Sequence, residues 1–170
     1  MAEEAEITEE MRKAVGNLLN ICVTRIERSK IKMFLDATGD HNPLWEDEEY
    51  TRKIGGTIVP PGFLITMQME GGSPGFYMPY MLSLKGAIDA GGDWEFFRPV
   101  RPDDVIIVDR KFVDLYEKRG SLGKMLFNVL ETTYRNQRGE IVAKGKWRTI
   151  RIYAPEVKDY EGRKIECQSN

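Results

Sequence analysis

Asp40 and His41, set between Gly39 and Asn42-Pro43, are the residues whose types and spacing most directly offer chemistry. A carboxylate can orient or deprotonate water, and an imidazole exchanges protons near neutral pH. His41 is the only histidine in the chain. Further on, Val59-Pro60-Pro61-Gly62-Phe63-Leu64 reads as a loop opening a short, apolar helix with proline at its start. The first backbone N–H groups of a helix have no partner within it, so the Gly62 N–H is available to an oxygen atom of a ligand. A polar loop followed by such a helix is a candidate site. Each residue also has a plainer role. Asp40 and Asn42 can brace the turn at Pro43, Trp45 can be packing or a pocket wall, and Gly62 can be glycine because the helix packs tightly.

The elements that must position these residues follow from patterning. Ile7 to Val15 reads as a peripheral N-terminal helix with Thr8 as its cap. Ile21 to Ile26 is β-branched and strand-like. Ser29 then suits the cap of a helix from Lys30 to Thr38, with Ile31, Phe34 and Leu35 on its apolar face and Gly39 as its stop. Glu46 to Lys53 supports one or two further helical turns, ending at Ile54-Gly55-Gly56. From Gly62 to Glu70, Phe63, Leu64, Ile65, Met67 and Met69 put apolar groups on most faces, so this helix must be surrounded, most simply by a sheet that curls round it.

The rest supplies that sheet. Strands are expected around Asp93 to Phe97, from Val105 to Glu117, from Met125 to Arg135, and in a last run where Ala143, Gly145, Trp147 and Thr149 alternate with Lys144, Lys146 and Arg148. The first set makes a core face. The cationic set makes a solvated face, or a basic patch for the phosphate groups of a ligand. Helices first and long antiparallel strands afterwards argue an α+β fold. The expected organisation is an N-terminal helical segment over 1–20, one domain over 21–153 and a polar tail over 154–170.

Composition removes several functions. With 25 basic and 27 acidic residues the net charge is −2, which lacks the excess that nucleic-acid binding needs. One histidine and two remote cysteines, Cys22 and Cys167, make no metal cluster and no disulfide framework. No run approaches the roughly 18–20 apolar residues of a membrane span, and the acidic start is unlike a signal peptide. A soluble, cytoplasmic protein without metal is the expectation.

With these residues in place, the chain resembles the MaoC-like dehydratases of the hot-dog fold, in particular the fungal-fatty-acid-synthase-type dehydratase branch. The resemblance runs from about Ile21 to Tyr153. It rests on Ala37-x-Gly39-Asp40-x-Asn42-Pro43-Leu44-x-x-Asp47-Glu48-Glu49-Tyr50, on Pro60-Pro61-Gly62-Phe63-Leu64, on Gly91-Gly92-x-x-Glu95-x-x-Arg98-Pro99-x-x-x-Asp103, and on Asp114-x-Tyr116-x-Lys118. It implies a single hot-dog domain, a curved antiparallel sheet wrapped round a central helix, and a dimer of such units.

It also implies an (R)-specific enoyl-CoA hydratase or 3-hydroxyacyl-thioester dehydratase, a lyase whose substrate is a thioester of coenzyme A or a carrier protein, with no cofactor. In that family an aspartate and a histidine five positions later move water across the α,β double bond, while an N–H at the start of the central helix holds the thioester oxygen. Carried over, the aspartate is Asp40 and the donor is Gly62, but the histidine position holds Trp45. His41 is the remaining candidate for proton transfer, and Asn42, Trp45, Pro61 and Phe63 are candidates for lining the substrate.

An indole donates hydrogen bonds and does not exchange protons, so this departure sets three readings side by side. The chain is a hydratase-dehydratase or a subunit of a heteromeric one. Alternatively it is a non-catalytic acyl-binding subunit beside a MaoC-like chain with the intact pair, or a hot-dog thioesterase using a lone carboxylate.

Overall fold

The computed structural model describes residues 7, 9–67, 84–121 and 123–153. Five strands form one antiparallel sheet: β1 (Leu18–Arg25), β2 (Leu84–Phe96), β3 (Val105–Gly120), β4 (Gly123–Arg135) and β5 (Ile141–Tyr153). Their order across the sheet is β1-β3-β4-β5-β2, so the sequence-adjacent strands β3, β4 and β5 form the middle and β1 and β2 the edges. The turn at Asn136 to Gly139 joins β4 to β5, with Gly139 in the left-handed region as expected. Every strand is longer than its sequence pattern suggested, because ladder hydrogen bonds continue through residues with no strong strand preference.

Helix α2 (Arg28–Thr38) and the short helix α5 (Pro61–Thr66) pack against this sheet. Ile31 and Leu35 of α2 meet Phe63 and Leu64 of α5, Met67 just beyond it, and Ile106, Val108, Tyr134 and Ala143 of the sheet in one buried cluster. The curved sheet wrapped round a helix is therefore the observed fold. Among the described residues of α5, Phe63 and Leu64 are buried, Ile65 is partly covered and Thr66 is exposed. The expected continuation to Glu70, the glycine-rich break at 71–75, the Thr8 cap and the tail from 154 lie outside the described residues.

Two local expectations are corrected. The N-cap of α2 is Glu27, with no side-chain cap, and Ser29 lies within the first turn rather than before it. The N-terminal helix α1 (Glu9–Ala14) is not peripheral. Met11 is wholly buried with Phe112, Leu115, Leu126 and Leu130, so α1 covers a second part of the sheet. Its short, charged sequence hides one apolar anchor.

Glycine matters at two positions of the framework. Gly39 ends α2 with φ 66°, a left-handed conformation that costs a side chain dearly, and its N–H returns to the Leu35 carbonyl. Gly145 of β5 lies under the Trp94 indole, and a Cβ there would collide with the ring.

The same face of the sheet buries Tyr134 and Arg110. Burial pushes the Tyr134 phenol up to about 12, with the Trp94 indole and then the Arg110 guanidinium acting against that rise. An unfolded tyrosine titrates near 10. Between roughly pH 10 and 12 the unfolded chain therefore loses a proton that the folded chain keeps, and stability falls as pH rises through that window. Tyr134→Phe should remove up to about 3 kcal/mol of this alkaline loss while leaving urea midpoints at pH 8 little changed. Parallel loss of stability at pH 11 in both proteins would contradict the assignment.

Candidate functional site

The loop after α2 is built by short side-chain caps. Asp40 Oδ1 accepts from the Asn42 N–H at 3.3 Å, and Asn42 Oδ1 accepts from the Leu44 N–H at 3.0 Å to cap α3 (Pro43–Glu46). Pro43 starts that helix with its φ already set and no N–H to satisfy. Asp47 then caps α4 (Glu48–Thr51) through the Tyr50 N–H at 2.8 Å. Asn42 is thus the brace of the turn.

One turn of α3 carries Trp45 back over Asp40. Its indole Nε1–H donates to Asp40 Oδ2 at 2.9 Å, and both side chains are partly buried. The ring packs against the central apolar cluster. Both oxygens of Asp40 therefore hold a hydrogen bond within this loop, and the indole has spent its only donor on one of them. The sequence offered Trp45 as packing or as a pocket wall, and the packing is what the ring does. The signal for the direct bond was the spacing of five with a proline-started helical turn between.

His41 points elsewhere. It is exposed, its Nδ1 lies 3.5 Å from Glu46 Oε2, and the hydrogen-bond partners of Asp40 are the Asn42 N–H and the Trp45 indole instead. Gly62 occupies the second position of α5, directly beneath α2: a Cβ built there would lie 3.3 Å from Phe34 Cζ. The Gly62 N–H has no acceptor among the described residues, and the residue is exposed. Close packing and an available donor thus coincide at one glycine. Pro61 is exposed beside a hollow of about 240 Å3 that includes Leu64, Phe96 and Phe97. Phe63 is turned inward, edge-on to Phe34 with ring centres 5.8 Å apart, and belongs to the core.

The strand cations lie on the face opposite Ala143 and Gly145. Lys146 pairs with Glu131 at 3.7 Å and Arg148 with Asp93 at 2.8 Å, so acidic neighbours offset that patch. A different concentration of positive charge was not visible in the sequence. Arg28, Arg52 and Arg101, from three separate segments, surround one cleft beside Gly55, Gly56 and Thr57. Among the described residues no group of three or more His, Cys, Asp or Glu could hold a metal ion, and no helix is long and apolar enough to cross a membrane.

A curved antiparallel sheet around a short helix, with an Asp-x-Asn-Pro loop beside that helix's start, defines a hot-dog domain of the dehydratase type. The family profile described as "FAS1-like, dehydratase domain region" matches residues 13–145, and the chain belongs to this family of MaoC-like hot-dog dehydratases. It is 32% identical over 138 residues to a probable enoyl-CoA hydratase alpha subunit of Thermomonospora curvata, covering 72% of this chain but only 43% of that protein. A MaoC-like dehydratase of Rhodospirillum rubrum superposes with a TM-score of 0.64 at 25% identity, over 84% of this chain and 94% of the other. A chain of the ChsH1-ChsH2 complex of Mycobacterium tuberculosis gives a TM-score of 0.71 at 18% identity, over 84% and 88% of the two chains.

Proposed function

We propose that this chain is a component of an acyl-thioester hydratase-dehydratase, working beside a second hot-dog chain that carries the complete aspartate and histidine pair. The observation that carries this reading is the bond from the Trp45 indole to Asp40. Hydration needs one group to activate water and a group able to exchange a proton at the α-carbon. In this chain the second position is an indole, which can hold the carboxylate but cannot carry a proton. The available Gly62 N–H remains suited to a thioester oxygen, where charge develops during reaction. Support for a two-chain assembly comes from the relative in T. curvata, named as an alpha subunit, and from the M. tuberculosis structure, a complex of two named chains.

The test is hydration of crotonyl-CoA and longer enoyl-CoA thioesters by the lone chain and by the chain co-expressed with a candidate MaoC-like partner. The lone chain should run about 10²–10⁴-fold below the assembly, the range set by loss of a general acid-base group. Within the assembly, Asp40→Asn should lower turnover less than about tenfold, and aspartate-to-asparagine in the partner should abolish it. Full hydration by the lone chain, lost on His41→Ala, would instead make His41 the proton carrier. Release of free thiol without hydration would mark a thioesterase.

A further inference from the structure

On the face of the sheet that meets α5, one register line runs between the two apolar clusters. Arg110 of β3 stands beside Thr132 of β4, Thr132 beside Gly145 of β5, and Gly145 beside Trp94 of β2. To one side of this line lie Val108, Tyr134 and Ala143, clustered with α5. To the other lie Phe112 and Leu130, clustered with Met11 of α1. An apolar row in this place would have joined the two clusters into one core. The chain instead puts a guanidinium there, only 4% exposed. Among the described residues no carboxylate pairs with Arg110, and its Nε–H has no acceptor.

Burial pulls the pKa of Arg110 down, with the Tyr134 phenol acting against that fall, yet an arginine keeps its charge wherever proteins work. A buried charge without a counter-ion destabilises a fold, and a chain retains one where the charge has a task. The neighbours of Arg110 define that task. Trp94 Nε1 is buried without an acceptor, and the Tyr134 hydroxyl, also buried, has no hydrogen bond although the indole lies near it. The phenol keeps its proton up to about 12, so at neutral pH it is a donor. A guanidinium, an indole N–H and a phenol O–H thus stand together as donors without an acceptor among the described residues. A carboxylate, with two oxygens and a negative charge, suits such a set.

This row lies within the span of an acyl chain from the candidate site. Gly62 opens α5, and Met67, five residues and ~7.5 Å further along the helical path, shares the buried cluster of Val108 and Tyr134. Arg110 is two residues beyond Val108 on the same face of β3, at most another ~7 Å. A straight alkyl chain advances ~1.25 Å per bond, so a group about six to twelve bonds from a thioester at Gly62 would reach the row. We propose that Arg110, Tyr134 and Trp94 receive a carboxylate at the far end of the acyl group, so that the substrate is a thioester of a dicarboxylic acid. This rests on the thioester reading above, but its test requires no turnover.

Titration calorimetry of the full chain, alone and in its assembly, compares the mono-CoA thioester of octanedioic acid with octanoyl-CoA, neither of which has a double bond to hydrate. The diacid thioester should bind at least about tenfold tighter, the gain of a charge-assisted contact. Arg110→Met, which keeps an unbranched side chain and removes the charge, should cancel that preference, and Tyr134→Phe should reduce it severalfold. Arg110→Met should also raise the melting temperature of the free chain, because it removes a charge that the interior does not neutralise. A lower melting temperature with the preference intact would make Arg110 a brace of the sheet and overturn the inference. Equal binding of the two thioesters by the parent chain would overturn it and leave the hydratase reading standing, whereas no binding of either would remove both. Free octanedioate that binds through Arg110 while its thioester does not would also overturn it, since that places a free diacid and not an acyl group on the row.

Discussion

Trp45→His should give the lone chain crotonyl-CoA hydration about 10²–10⁴-fold above the unaltered chain, the gain expected when a site acquires a general acid-base group. The geometry is already set for it. Trp45 Nε1 lies 2.9 Å from Asp40 Oδ2, so a ring at the same position projects toward the carboxylate. An imidazole held there can take and return a proton, whereas the indole can only donate a hydrogen bond. The smaller ring leaves part of the central cluster unfilled, and a stability loss of about 1–3 kcal/mol should accompany the gain. Two controls separate chemistry from packing. Trp45→Phe removes the indole N–H without adding a base and should show no gain. Adding Asp40→Asn to Trp45→His should return hydration to the baseline. A well-folded Trp45→His chain without hydration would show that the indole is not what keeps this chain from acting alone.

The largest effect on stability is expected at Phe112. This ring is wholly buried with Met11, Leu115, Leu126 and Leu130, and truncation to alanine leaves a cavity that α1 and three residues of the sheet would have to fill. Phe112→Ala should cost about 3–5 kcal/mol. For a domain of this size that is a fall in melting temperature of roughly 10–15 °C. Met33, on the outer side of α2 and 70% exposed, provides the contrast: Met33→Ala should stay within about 0.5 kcal/mol. Chemical denaturation of both variants checks the pair. A small loss at Phe112 would mean that α1 contributes little to the folded domain, as its sequence alone suggested.

Much of the framework was legible in the chain because it depends on neighbours. Gly39 stops α2 through its own backbone conformation, the alternation from Ala143 to Thr149 sorts β5 into two faces, and the apolar start of α5 requires enclosure. The motif around Asp40 and Gly62 likewise marked the loop and helix start as the place to look. Contacts set by the path of the chain through space were not legible. Whether Trp45 reaches Asp40 depends on a single turn of α3 after Pro43, and no propensity encodes that return. Met11 became core only when Phe112, about a hundred residues later, was laid beneath it. The cations at 144, 146 and 148 form a conspicuous run in sequence, yet two of them meet carboxylates on adjacent strands. The arginines that surround one cleft stand at 28, 52 and 101, because charge acts through distance in space and the fold alone brings those three together.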